Sequence, residues 1–124
     1  MSNLIGALLF SVIANACFHK IEVDPSKIYD GDTMMDVKVD VAFGLSAIKT
    51  IRLFGVDTPE IRSKDKVRAI EARDRLREIV GNCKKLRIIN MGEGHFGRTL
   101  GKVYCGNKNI SEQLIEEGFS KTKE

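Results

Sequence analysis

Two short stretches concentrate the residue types that could do chemistry. "YDGDT" places Asp30 and Asp32 on either side of Gly31, and "IRLFGVDTPE" carries Arg52, Asp57, Thr58 and Glu60. Carboxylates at strand ends, helped by a backbone carbonyl, are the oxygen ligands that a hard cation such as Ca²⁺ takes. A site with only two carboxylates leaves several coordination positions to water and substrate. It should therefore bind weakly, in the upper part of a range of roughly 10⁻⁵ to 10⁻³ M. A nearby acid outside the ligand set can act as general base on an oriented water. Arg52 interrupts an apolar run, and Arg98 follows Gly97 in a glycine-rich loop. Two guanidinium groups can clamp a phosphodiester bidentately and neutralise charge that develops in its transition state. Lysine lacks that planar fork.

Each feature also has a purely structural reading. Asp30-Gly31 is a hairpin-turn dipeptide, suited to a type I′ turn with positive φ at its central residues. Thr58-Pro59-Glu60 reads as a helix start, with Thr58 as N-cap, Pro59 in the first position and Glu60 near the positive helix end. Arg52 could snorkel to a rim and Arg98 could be a solvated loop cation. Strand parity adds an obstacle. Arg52 and Asp57 fall on opposite faces of an extended chain, roughly 16 Å apart. They can share a site only if the strand bends, and Gly55 is the place for it.

The elements that must position these residues follow from periodicity. "FHKIEV" reads as a first strand. "MMDVKVDVAF" alternates Met35, Val37, Val39 and Val41 against Asp36, Lys38 and Asp40, a strand with one wet face. Gly44 breaks it, and "AIKTIRLFGV" returns as the third strand. "KDKVRAIEARDRLREIV" sets Ala69, Ala72, Leu76, Ile79, Val80 and Cys83 on one helical stripe, with Gly81-Asn82 as its stop. "KKLRIIN" and "LGKVYC" are two more strands around the loop "MGEGHFGRT". "NISEQLIEEGF" is a short second helix, capped by Asn109 or Ser111 and ended by Gly118. The order β-β-β-α-β-β-α predicts a mainly β, α+β domain: a five-stranded OB-fold barrel with two helices.

Composition sets the bounds. The 124 residues fit one domain, with 43% hydrophobic and 30% charged residues and a net charge of +3. That charge is compatible with a polyanionic partner without requiring one. The three cysteines, Cys17, Cys83 and Cys105, lack any Cys-x-x-Cys or histidine pairing, which argues against a zinc site. Cys83 and Cys105 are most simply small core residues. One disulfide remains open if the chain is exported. Residues 4–16, "LIGALLFSVIANA", hold no charged side chain. They are too short to span a bilayer as a straight helix, which takes about 20 apolar residues. Their length and the Ala14-Asn15-Ala16 pattern match a signal peptide, and Cys17 would then be a possible lipid attachment point. Against this, Met1-Ser2-Asn3 has no basic side chain. The chain thus divides into an apolar segment, 1–16, and a domain, 17–124. Export or membrane anchoring, with membrane contact through residues 4–16, is weighed against a cytoplasmic location.

With these residues in place, the sequence resembles the staphylococcal (thermonuclease-type) nucleases, the SNase-like family. The resemblance is carried by "YDGDT", "IRLFGVDTPE", "FGRTLGKVY" and "NKNISEQLIEEGFSK", spread over residues 20–121. It implies Ca²⁺-dependent hydrolysis of single- and double-stranded DNA and of RNA, with low sequence specificity. Position by position, Asp32 and Asp57 would hold Ca²⁺ through carboxylates and Thr58 through its carbonyl. Glu60 would be the general base, while Arg52 and Arg98 would bind the scissile phosphate. The 5′-oxygen would leave, giving 3′-phosphate ends. A monomer is expected.

The chain also departs from the family's type member. His95 and Phe96, the candidate substrate contacts, stand where that protein has lysine and tyrosine, so a hydroxyl contact to a terminal phosphate is missing. The loop after Glu60 is shorter, with Arg62, Lys64 and Lys66 as its cations. The C-terminus is truncated, without the terminal helix. A second possibility is a catalytically inactive SNase-like module that binds nucleic acid or protein. Such a module, free of catalytic selection, could lose Glu60 or either arginine, and here all six positions are filled.

Overall fold

A computed structural model describes residues 18–120 of the chain. The apolar segment 4–16, Cys17 and residues beyond 120 lie outside the described residues. The elements are β1 (Phe18–Glu22), β2 (Ile28–Asp30), β3 (Thr33–Ala42), β4 (Leu45–Leu53), α1 (Lys66–Gly81), β5 (Leu86–Glu93), β6 (Thr99–Cys105), β7 (Lys108–Asn109) and α2 (Ile110–Glu116). Strands β1, β5, β6, β4 and β3 lie side by side in that order, and β1 pairs again with β3. That last pairing closes a five-stranded barrel, as the periodicity predicts. The short strands β2 and β7 are additions, paired to β3 and β6.

The barrel interior is filled by Ile28, Met34, Val37, Ile51, Leu53, Ile88 and Val103. Helix α1 covers one opening with the stripe Ala69, Ala72, Leu76, Ile79 and Val80, all buried. The short α2 adds Ile110 and Leu114 to the same core. Asn109 caps α2, its side chain accepting from the Glu112 amide. Gly118 ends this segment with φ of 82°. Among the described residues no helix is long and apolar enough to cross a membrane.

Strict alternation fails in β3. Met35 is exposed, and the buried set is Met34, Val37 and Val39. The register slips between Met34 and Val37, and Asp36 sits there with φ of 52°. A bulge inserts one residue and flips the facing of everything before it. Val41 is exposed because β3 runs on beyond the barrel wall.

Three local expectations are corrected. Asp30-Gly31 does make the β2–β3 turn, but not as a type I′ turn, because Gly31 lacks a positive φ. The Asp30 carboxylate instead accepts from the Asp32 amide at 3.2 Å, an Asx turn. Glycine is required here by close approach: a Cβ on Gly31 would stand 2.8 Å from both Ala72 and Thr58 side-chain atoms. Thr58-Pro59-Glu60 is not a helix start, since α1 begins only at Lys66, with Asp65 before it. Thr58 and Pro59 are buried under the turn instead of leading into a helix. Cys83 and Cys105, finally, are not free core residues but a disulfide with Cα atoms 5.9 Å apart. The bond ties the end of α1 to the end of β6. Its 22-residue separation implies an entropic stabilisation of about 3 kcal/mol. Cys83→Ser with Cys105→Ser is expected to lose about that much in a denaturant titration.

Candidate active site

The site forms where β4 leaves the sheet. Arg52 is the penultimate residue of β4, flanked by buried Ile51 and Leu53. Beyond Leu53 the chain turns at Gly55, whose φ of 88° suits glycine. This bend removes the parity obstacle. The Arg52 guanidinium folds back over the turn, with Nη1 donating to the Leu53 and Val56 carbonyls, each at 2.8 Å. Its Nη2 reaches Asp57 Oδ1 at 3.5 Å and Asp32 Oδ2 at 3.3 Å. One nitrogen thus bridges the two carboxylates singled out as metal ligands.

Asp32 is fastened from several directions. Its carbonyl accepts from the Leu53 amide at 2.8 Å, joining the β2–β3 turn to the end of β4. Its carboxylate accepts from the Thr58 amide at 3.0 Å and the Thr33 hydroxyl at 3.2 Å. It is only 5% exposed, beside the equally buried Asp30. Burial first, then the hydrogen bond and charge of Asp30, push the Asp32 carboxyl up to about 6. Arg52 and the Thr58 amide oppose that rise without cancelling it.

Asp57 is different in character. Its side chain is half exposed. Its backbone is braced by Ser120, whose hydroxyl lies 3.3 Å from the Asp57 amide. Thr58 is fully buried, and its hydroxyl has no partner among the described residues. Glu60 is exposed. Its carbonyl holds Ser63 through the amide and the hydroxyl. Its carboxylate has no hydrogen-bond or ion-pair partner among the described residues.

The second arginine arrives through a pairing that sequence order hides. β4 runs parallel to β6, with Ile51 opposite Thr99 and Arg52 opposite Leu100. The loop before β6 therefore sits over the end of β4. A cleft of about 630 Å³ results, lined among others by Arg52, Asp57, Glu93, His95 and Arg98. Arg98 is held by its Nε donating to the His95 carbonyl at 3.2 Å. Phe96 is 95% exposed, outside the cleft lining, with the Arg98 guanidinium 5.8 Å from its ring centre. Asp32 and Thr58 lie behind the cleft wall, and Glu60 is likewise not among the lining residues.

Asp30, Ser120 and Glu93 were not singled out for the site. Asp30 carried a signal, the Asp-Gly-Asp pattern, but as a turn residue alone. Ser120 acts through a contact 63 residues away, for which no local pattern exists.

The donor set suits a hard cation. Asp30, Asp32 and Asp57 face one guanidinium, an excess of negative charge that resists ionisation of Asp32. Among the described residues no cluster of three or more His, Cys, Asp or Glu side chains is arranged to enclose a metal. A cation held by Asp32, Asp57 and the Thr58 carbonyl would draw its other ligands from water or substrate.

Comparison with known proteins places this geometry. The family model described as "Staphylococcal nuclease homologue" matches residues 50–124. The chain is 34% identical over 71 residues to "Staphylococcal-like nuclease CAN1" of Arabidopsis thaliana, covering 56% of this chain and 20% of that protein. It is 28% identical over 113 residues to an "Uncharacterized endonuclease" of Haemophilus influenzae, covering 91% of this chain and 58% of that one. The chain thus spans about a fifth of the plant relative and somewhat over half of the bacterial one. A family match over more than half of the chain, with a closed five-stranded barrel beneath it, makes this protein a member of the staphylococcal nuclease homologue family.

Proposed function

We propose that the chain is a Ca²⁺-dependent nuclease that hydrolyses phosphodiester bonds of DNA and RNA with low sequence specificity. The observation that carries this reading is the convergence of Arg52 on Asp32 and Asp57, at the edge of the cleft that Arg98 also lines. Asp32, Asp57 and the Thr58 carbonyl would hold the cation. Bound there, Ca²⁺ would supply positive charge to the phosphate and help orient a water for in-line attack. Arg52 and Arg98 bind the non-bridging phosphate oxygens and neutralise charge as the phosphorus becomes pentacoordinate. Glu60 takes the proton of the attacking water. The new P–O bond forms opposite the 5′-oxygen, whose bond to phosphorus breaks, leaving a 3′-phosphate.

The reading of low specificity rests on the cleft's cations, which address phosphate and not base edges. Digestion of a single-stranded oligonucleotide tests the chemistry. Fragments should carry 3′-phosphates and fail to prime a polymerase until a phosphatase removes them. Fragments that prime directly would contradict the proposed leaving group.

The cation site has its own signature. With Asp32 raised from its ordinary value near 3.8 to about 6, the folded state binds its proton more tightly than the unfolded state does. Without metal, this group's contribution to stability is present below about pH 4 and lost as pH rises through about 6. Ca²⁺ favours the ionised carboxylate, so it should restore stability above that range. At 10 mM Ca²⁺ and a Kd near 1 mM the gain is about 1.4 kcal/mol. At pH 5 the apparent affinity should be about tenfold weaker, because most Asp32 is protonated. Melting curves in Ca²⁺ and in EDTA should therefore separate at pH 7.5 and nearly coincide at pH 5. Equal separation at both would remove Asp32 from the site.

The Cys83–Cys105 disulfide supports an exported or membrane-anchored location, since such bonds persist in oxidising compartments.

A further inference from the structure

At the end of the β3–β4 hairpin the chain exposes a run of apolar side chains. Phe43 is 99% exposed, Leu45 66%, Val41 48% and, further back, Ile48 63%. The turn between Ala42 and Leu45 has two residues, Phe43 at φ 53° and Gly44 at φ 76°. A two-residue turn of this hand favours Asn-Gly or Asp-Gly, and a bulky residue there is strained. A large aromatic at this point is thus unfavourable to both the backbone and its hydration. The nuclease cleft does not use it. Arg52 and Leu45 lie near opposite ends of β4, roughly 23 Å apart at strand rise.

The tip has a neighbour. β1 pairs antiparallel with β3, Ile21 opposite Val39 and Glu22 opposite Lys38. His19 continues this contact, its Nδ1 lying 3.0 Å from the Asp40 carbonyl. The same register sets Phe18 level with Ala42, beside the turn. The polypeptide enters the barrel there, directly after the uncharged residues 4–16. Two apolar features, distant from the cleft, are therefore brought to one end of the barrel.

We propose that this end docks on a phospholipid bilayer, with Phe43 and Leu45 inserted into the interface beside residues 4–16 and the cleft facing away. A bilayer fits better than an intramolecular cover. Segment 4–16 has apolar residues on every side of any helix it could form, so laying it on the tip would leave its outer face exposed. A medium that accepts both features at once resolves this. Charges behind the tip are of mixed sign, Lys38, Asp40 and Lys49. Insertion then depends on apolar contact more than on lipid charge, and zwitterionic lipid suffices.

The chain has no tryptophan, so Phe43→Trp creates a single reporter. In the full chain, its emission should shift to the blue on adding phosphatidylcholine vesicles and be quenched by brominated lipid. Emission unchanged by vesicles overturns the proposal. A blue-shifted spectrum already present without vesicles also overturns it, showing the tip covered by another part of the chain or by a second copy. Phe43→Asn with Leu45→Asn should lower vesicle partitioning by about tenfold or more. The melting temperature should not fall, because Asn tolerates the left-handed backbone, and cleavage of a short oligonucleotide should be unchanged. Undiminished partitioning of that folded variant would equally overturn it.

Discussion

Glu60→Gln is expected to cut the rate of phosphodiester cleavage by roughly 10²–10⁴-fold, the usual loss when a general base is removed. Glutamine keeps the size and hydrogen-bonding reach of the side chain but cannot take a proton. The loss should fall on kcat, since the phosphate is held by the arginines and not by this residue. Stability should change by no more than about 0.5 kcal/mol. The carboxylate is exposed and has no partner among the described residues, so nothing in the fold leans on it. Single-turnover kinetics beside a thermal melt would separate these effects. Full activity in the variant would assign the proton acceptor elsewhere.

Arg52→Lys should be costly in two ways at once. The guanidinium satisfies the carbonyls of Leu53 and Val56 while reaching Asp32 and Asp57. A single ammonium cannot point in all four directions. Leaving a partly buried carbonyl or carboxylate without its donor costs about 1–3 kcal/mol. The variant should therefore unfold at lower denaturant as well as lose roughly 10²-fold or more in kcat/KM. Arg98→Lys is the contrast. Arg98 bonds only within its own loop, to the His95 carbonyl, so lysine there should reduce cleavage and leave stability nearly unchanged. If both variants lost the same stability, Arg52 would not be the keystone of the turn.

The barrel was legible because each strand carries its own pattern and the α1 stripe is unambiguous in the sequence. The bend was legible too: Arg52 and Asp57 can meet only if the chain turns at Gly55, and Gly55 has the positive φ that does it. What local pattern could not supply was pairing between distant strands. The parallel register of β4 with β6 sets Arg98 over Arg52, and nothing near either residue announces it. The same holds for the disulfide, where two cysteines 22 residues apart looked like ordinary core residues. Thr58-Pro59-Glu60 misled for a different reason. Its residue types do favour a helix start, but the Thr58 amide is taken by the Asp32 carboxylate. A tertiary hydrogen bond thus overrode the local preference, and it did so beside the cleft. The Asp30-Gly31 turn follows the same logic, with glycine kept for the approach of Thr58 and Ala72 and not for its φ.

The most direct measurement is cleavage of single-stranded DNA by the purified full-length protein in millimolar Ca²⁺ and in EDTA, with Glu60→Gln run alongside. Degradation in Ca²⁺, lost on chelation and in the variant, is the result this arrangement of Asp32, Asp57, Arg52 and Glu60 predicts. Binding of the DNA without cleavage in either condition would contradict it and leave the barrel as a nucleic-acid-binding module.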